Sequence, residues 1–339
     1  MSAVAFDLPA GLEASAPPER RDAVRLLVAR PDGIQHARFA EIGEQLAPGD
    51  LVVVNTSAML PAAVTGLRAA DHPVVVHFAA ALDDGDWVVE VRAAGPSATG
   101  PVGDLRAGER IALPDGVWLT VRAPHPAGQH RLWRASIPVD GGVVPFLRHV
   151  GRPIRYAYVP VPQPISAYGT VFGRDPGSAE MPSAGRPFSA EVVTDLVTRG
   201  VLVAPVLLHT GVSSQEPGEP PQPERFRVDA HTARLVNAVR AWGGRVVAVG
   251  TTATRALESA TDPAGTVRAA AGWTNLVLGP RRPARTVTGL VTGWHAPGAS
   301  HLDLLEAVAG PGLVAAAYRE ALRERYRWHE FGDSCLLLP

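Results

Sequence analysis

The stretch Arg245-Val-Val-Ala-Val-Gly250-Thr-Thr-Ala-Thr-Arg255-Ala-Leu-Glu258 decides the fold. Its opening apolar run is continuous rather than alternating, which is the pattern of a strand buried on both faces. Gly250 breaks the run, and Thr251 and Thr252 stand where a helix begins. Strand, glycine turn and helix in that order are the unit of a parallel sheet covered by helices. The same grammar extends outward. Residues 201–209 form an apolar run preceded by a Ser-capped helical segment at 189–199. A helix is expected at 229–242, with others at 301–308 and 312–326. Towards the N-terminus, 25–29 and 50–55 read as strands and 39–45 as helical.

Between about residues 66 and 151 the texture changes. Short alternating runs at 74–78, 87–91, 110–113, 117–121 and 131–137 are separated by Gly, Pro and Asp turns. That spacing predicts a small antiparallel barrel or sandwich. The expected architecture is α/β. A mostly parallel sheet domain is built from residues 1–66 and 153–339, with an antiparallel β-barrel inserted at 67–152.

Composition narrows the chemistry. The chain has 339 residues, 46% of them hydrophobic and 19% charged, which suits a folded globular protein. All 32 basic residues are arginine. Without lysine there is no Schiff base for pyridoxal phosphate and no P-loop lysine. The net charge of −1 gives no basic surplus for a nucleic acid, although Arg148, Arg152 and Arg155 form a local patch. The single cysteine, Cys335, forms no internal disulfide and no Cys-rich zinc site. No apolar run spans a membrane, and 1–9 lacks the basic start of a signal peptide; the expected compartment is the cytosol.

In open α/β sheets, ligands bind beyond the carboxyl ends of strands. Four segments have that form: Asn55-Thr56-Ser57, His209-Thr210-Gly211, Gly250-Thr251-Thr252 and Gly293-Trp294-His295. The helix start at Gly250 offers free N–H groups to an anion, and Thr251 and Thr252 cap it or bond a ligand. Arg255 and Glu258, one helical turn apart, are placed to pair with each other. His209, His295 and Glu224 are the candidate acid–base groups, with Trp294 a stacking surface. The Gly/Pro-rich stretches containing Tyr168, Ser183 and Gly185 are suited to holding a ligand, and 213–223 reads as a loop. No spacing supports a metal site.

Taken in order, several motifs resemble the S-adenosylmethionine:tRNA ribosyltransferase-isomerase (QueA, queuosine biosynthesis) family. They are Pro48-Gly-Asp-Leu-Val-Val-Val-Asn55, Tyr168-Gly-Thr-Val-Phe172, Pro182-Ser-Ala-Gly185, Leu208-His-Thr-Gly211, the 244–259 stretch, and Tyr326-Arg-Trp-His-Glu-Phe-Gly-Asp333. The resemblance implies two domains and S-adenosylmethionine as consumed substrate, with no metal. In such enzymes a proton beside the sulfonium is removed and the ribosyl part passes to a 7-aminomethyl-7-deazaguanine base in tRNA. Adenine and methionine leave, and an epoxycyclopentanediol remains.

The chain also departs from the pattern. Asn-Asp-Thr-Arg becomes Asn55-Thr56-Ser57-Ala58, Gly-Leu-His-Phe-Thr becomes Gly185-Arg186-Pro187-Phe188-Ser189, and Gly-Leu-Gly-Thr-Phe becomes Gly211-Val212-Ser213-Ser214-Gln215. Met-His-Ser-Glu survives as Glu224 alone, and a Pro-Lys-Ser-Thr run reads Pro297-Gly298-Ala299-Ser300. The lost cationic groups would serve phosphate or base, so the reading favours a paralogue acting on S-adenosylmethionine alone or with a small acceptor. Cyclisation to 1-aminocyclopropane-1-carboxylate plus methylthioadenosine is one such reaction. The family's tRNA reaction is the alternative, and an inactive S-adenosylmethionine- or RNA-binding protein a further one. On any of these readings Gly250, Thr251, Thr252, Arg255, Glu258, Asn55, Tyr168, Ser183, Gly185, Gly211 and Trp294 are the expected substrate contacts.

Overall fold

The structure, a computed structural model, describes residues 4–95, 100–212 and 222–339. Residues 213–221, most of the expected 213–223 loop, and the departures Ser213, Ser214 and Gln215 lie outside the described residues.

A nine-stranded sheet forms the larger layer. At its centre Leu202–Leu208, Leu51–Asn55, Val246–Val249 and Gly289–Thr292 run parallel, with Ala204 opposite Val53 and Val247 opposite Val52. Leu51–Asn55 and Val246–Val249 are buried throughout, as the continuous apolar runs require. Antiparallel strands extend the sheet on one side through Glu224–Val228 and Ala270–Thr274, and on the other through Ser334–Leu337. Arg25–Arg30 pairs parallel with Ser334–Leu337, so the two ends of the chain meet inside one sheet. Helices Ala230–Ala241, Gly250–Ser259, Ser300–Ala309 and Pro311–Arg323 contribute apolar residues to one core with the sheet. Phe39–Gln45 is a 3-10 helix rather than an α-helix. Ser189 caps Ala190–Thr198 as expected, accepting from the Val192 N–H at 3.3 Å.

The inserted unit is a closed six-stranded antiparallel barrel: Leu132–Ser136, Trp87–Ala93, His72–Ala81, Ala63–Arg68, Arg110–Ala112 and Trp118–Pro124, in that order. Alternate residues Val74, Val76 and Phe78 face its core. Ala63–Arg68, which the sequence reading left largely outside the insertion, is one of its strands. Gly66 hides that strand from a pattern search because it breaks the run of side chains. It is needed there: a Cβ at Gly66 would lie 2.8 Å from Ile111 and 2.9 Å from the Ala112 carbonyl. Gly66→Ala is expected to destabilise by about 1–3 kcal/mol, the usual range for overpacking. An unchanged urea midpoint would contradict this.

Among the described residues no helix is long and apolar enough to cross a membrane.

Candidate functional site

The Val246–Val249 strand ends at Gly250, whose φ of +85° favours glycine, and the chain turns directly into the Gly250–Ser259 helix. A Cβ at Gly250 would also press on Ala184 at 3.2 Å. No side chain caps this helix, so its first N–H groups are left for a ligand. They open onto a cleft whose walls include Ser183, Gly211, Glu224, Gly250, Thr251, Thr252, Arg255, Trp294 and His295. The structure therefore brings most of the expected residues together around the carboxyl ends of the central strands.

Arg255 does not pair with Glu258. It binds Glu224 instead, and its Nε donates to the Leu276 carbonyl at 3.1 Å. Glu224 is the first residue of a strand rather than a loop acid; it also accepts the Gly211 N–H at 3.4 Å. Burial raises the Glu224 pKa, opposed by the Arg255 charge and that N–H.

His295 and His301 stack face to face, with centroids 4.5 Å apart and planes within 4°. The His295 Nε2 meets the Thr292 hydroxyl at 3.0 Å. Burial, with His301 and His329 nearby, lowers the His295 pKa well below the usual value. Burial, with Arg255 nearby, lowers that of His301 to about 4. Both imidazoles are uncharged at neutral pH. Among the described residues the cleft thus holds one fixed cation, Arg255, already matched by Glu224, and further carboxyls at Glu180 and Glu330.

Five expected contacts are placed elsewhere. His209 turns away from the cleft. Its Nδ1 meets the Ser57 hydroxyl at 2.7 Å, and the ring lies against Gly177, where a Cβ would be 2.5 Å away. Burial and the Arg227 charge lower its pKa, against Asp175. Asn55 is used within the fold: it donates to the Leu208 carbonyl and Thr252 hydroxyl and accepts the Leu208 and Ser57 N–H groups. Tyr168 is buried in an aromatic cluster against Phe331, centroids 5.2 Å apart. Gly185 ends the Ser183–Gly185 turn beneath Thr170. Glu258, its carboxyl fully enclosed, accepts the backbone N–H groups of Arg285, Thr286 and Val287. It anchors the approach to Gly289–Thr292.

Trp294 lines the cleft but is 1% exposed, stacked on Trp328 at 5.3 Å and edge-on to Tyr318 at 5.0 Å. It is a floor rather than a free stacking surface. Residue-by-residue reading missed His301, His329, Glu330 and Glu180, which also line the cleft. The Trp328-His-Glu-Phe motif was the one signal for two of them. Among the described residues no three His, Cys, Asp or Glu side chains gather as for a metal ion.

The sequence profile of the family described as "Queuosine biosynthesis protein" matches residues 1–337. A protein of Symbiobacterium thermophilum named S-adenosylmethionine:tRNA ribosyltransferase-isomerase is 37% identical over 98% of both chains. One of the same name from Moorella thermoacetica is 34% identical over 98% of both. The crystal structure of S-adenosylmethionine tRNA ribosyltransferase from Thermotoga maritima superposes with a TM-score of 0.55. It is 29% identical and covers 99% of this chain and 100% of that one. These relatives lend no support to the expected paralogue and favour the alternative drawn from the family's own reaction. From end to end, the chain belongs to the queuosine-biosynthesis family of S-adenosylmethionine:tRNA ribosyltransferase-isomerases.

Proposed function

We propose that the cleft binds S-adenosylmethionine and that its ribosyl part is transferred to a 7-aminomethyl-7-deazaguanine base in tRNA. The observation that carries this is the charge arrangement. An uncapped helix start suits one carboxylate, while uncharged imidazoles and carboxyls surround the rest. That is complementary to a ligand with a sulfonium, an ammonium and a single carboxylate. The methionyl carboxylate takes the N–H groups at Gly250–Thr252 and the Thr251 and Thr252 hydroxyls, and the sulfonium sits towards Glu224 and His295. The positive sulfur acidifies adjacent C–H bonds and makes the thioether a leaving group, so a positioned base is enough to begin. The division into a catalytic α/β part and the inserted barrel belongs to the same reading. Arg148 and Arg152, exposed on the segment running from the barrel helix Val143–Val150 to Tyr156, are the phosphate contacts we assign to tRNA.

One observation favours a second reading, action on S-adenosylmethionine without tRNA. Ala58 and Gly298 stand where the family has an arginine and a lysine, so cationic groups for an RNA substrate are missing. Incubation with S-adenosylmethionine, with and without tRNA carrying the deazaguanine base, separates the two by mass spectrometry. Adenine and methionine released only with tRNA is the expected result. Methylthioadenosine released from S-adenosylmethionine alone would establish the second reading in its place.

A further inference from the structure

Of the groups facing the cleft that have the chemistry of a base, Glu224 and His295 are engaged. Glu224 gives one oxygen to Arg255 and the other to the Gly211 N–H. The His295 Nε2 is held by Thr292, and the ring is stacked on His301. Glu330 differs. It lines the same cleft, and its Oε2 is shielded from solvent with no hydrogen-bond partner among the described residues. Its neighbour His329 does not compete for it, because that ring stacks on Tyr158 at 4.3 Å and its Nε2 meets Glu13 at 3.2 Å.

Resting on the binding reading above, we propose that Glu330 is the catalytic base that takes the proton from the carbon beside the sulfonium. The C–H bond breaks, its electron pair stays on carbon next to the positive sulfur, and the proton passes to the Glu330 carboxylate. The surroundings suit this step. Burial raises the Glu330 pKa to about 7, where a carboxylate is both present and a competent acceptor. Glu180 and Tyr156 bear on the same region, since burial and then the Glu180 and Glu330 carboxylates raise the Tyr156 pKa. The Arg255–Glu224 pair that lines the same cleft is internally neutral.

The test is Glu330→Gln, which keeps shape and removes basicity. Affinity for S-adenosylmethionine by calorimetry is expected to stay within about threefold, while kcat with tRNA falls by about 10²–10⁴-fold. The wild-type rate is expected to rise with pH through an apparent pKa near 7, as the carboxyl loses its proton, and that limb is absent in the variant. Retained kcat in a folded variant, or a wild-type profile flat from pH 5 to 8, would overturn the assignment. A flat wild-type profile would overturn it even if the variant does not fold. A wild type that binds S-adenosylmethionine but never consumes it removes the functional reading as well. An active wild type beside an equally active Glu330→Gln removes only the role of Glu330.

Discussion

Arg255→Leu is expected to lower the unfolding free energy by about 3–5 kcal/mol, the cost of stripping one partner from a buried ion pair. Side-chain exposure is 11% for Arg255 and 14% for Glu224, so solvent cannot take over the role of the lost guanidinium. Glu224 would keep only the Gly211 N–H. The Leu276 carbonyl would also lose its donor, and with it the tie between the Gly250–Ser259 helix and the segment after Ala270–Thr274. Arg255→Lys will not substitute, because an ammonium lacks the planar fork that reaches Glu224 and the carbonyl together. Adding Glu224→Gln to Arg255→Leu should recover a large part of the loss, since no buried charge then stands alone. Urea denaturation of the single and double variants measures this. A single variant within 1 kcal/mol of wild type would show the pair to be incidental.

Glu258→Ala should be comparably damaging for a different reason. Each buried N–H left without an acceptor costs about 1–3 kcal/mol, and the Glu258 carboxylate serves those of Arg285, Thr286 and Val287. A loss of at least about 3 kcal/mol is expected on that basis, while the folded protein keeps its affinity for S-adenosylmethionine. Lost affinity with stability intact would return Glu258 to the ligand, where the motif alone had placed it.

That contrast shows what sequence carries and what it does not. The central strands and the turn at Gly250 were legible because burial on both faces leaves an unbroken apolar run, and a φ of +85° leaves a glycine. Most barrel strands were legible from alternation, whereas Ala63–Arg68 was not, because its glycine serves a close approach rather than a pattern. The cleft was legible as a set of strand ends but not as a set of side-chain directions. His209 and His295 have the same sequence form, a histidine just past an apolar strand, yet one turns to Ser57 and the other into the cleft. Arg255 and Glu258 share a helix face, but each finds a stronger partner in a segment distant along the chain. Spacing along one helix cannot register such partners. Glu330 is brought to the cleft from near the C-terminus, beside the strand Ser334–Leu337 that pairs with Arg25–Arg30, a closure no local pattern announces.

A crystal structure of the protein with S-adenosylmethionine tests the proposed binding mode most directly. The expected result is the methionyl carboxylate on the N–H groups of Gly250–Thr252 and the sulfonium within the cleft shared by Glu224, His295 and Glu330. A ligand bound elsewhere, against His209 and Ser57 for example, or with its carboxylate away from the helix start, would contradict it.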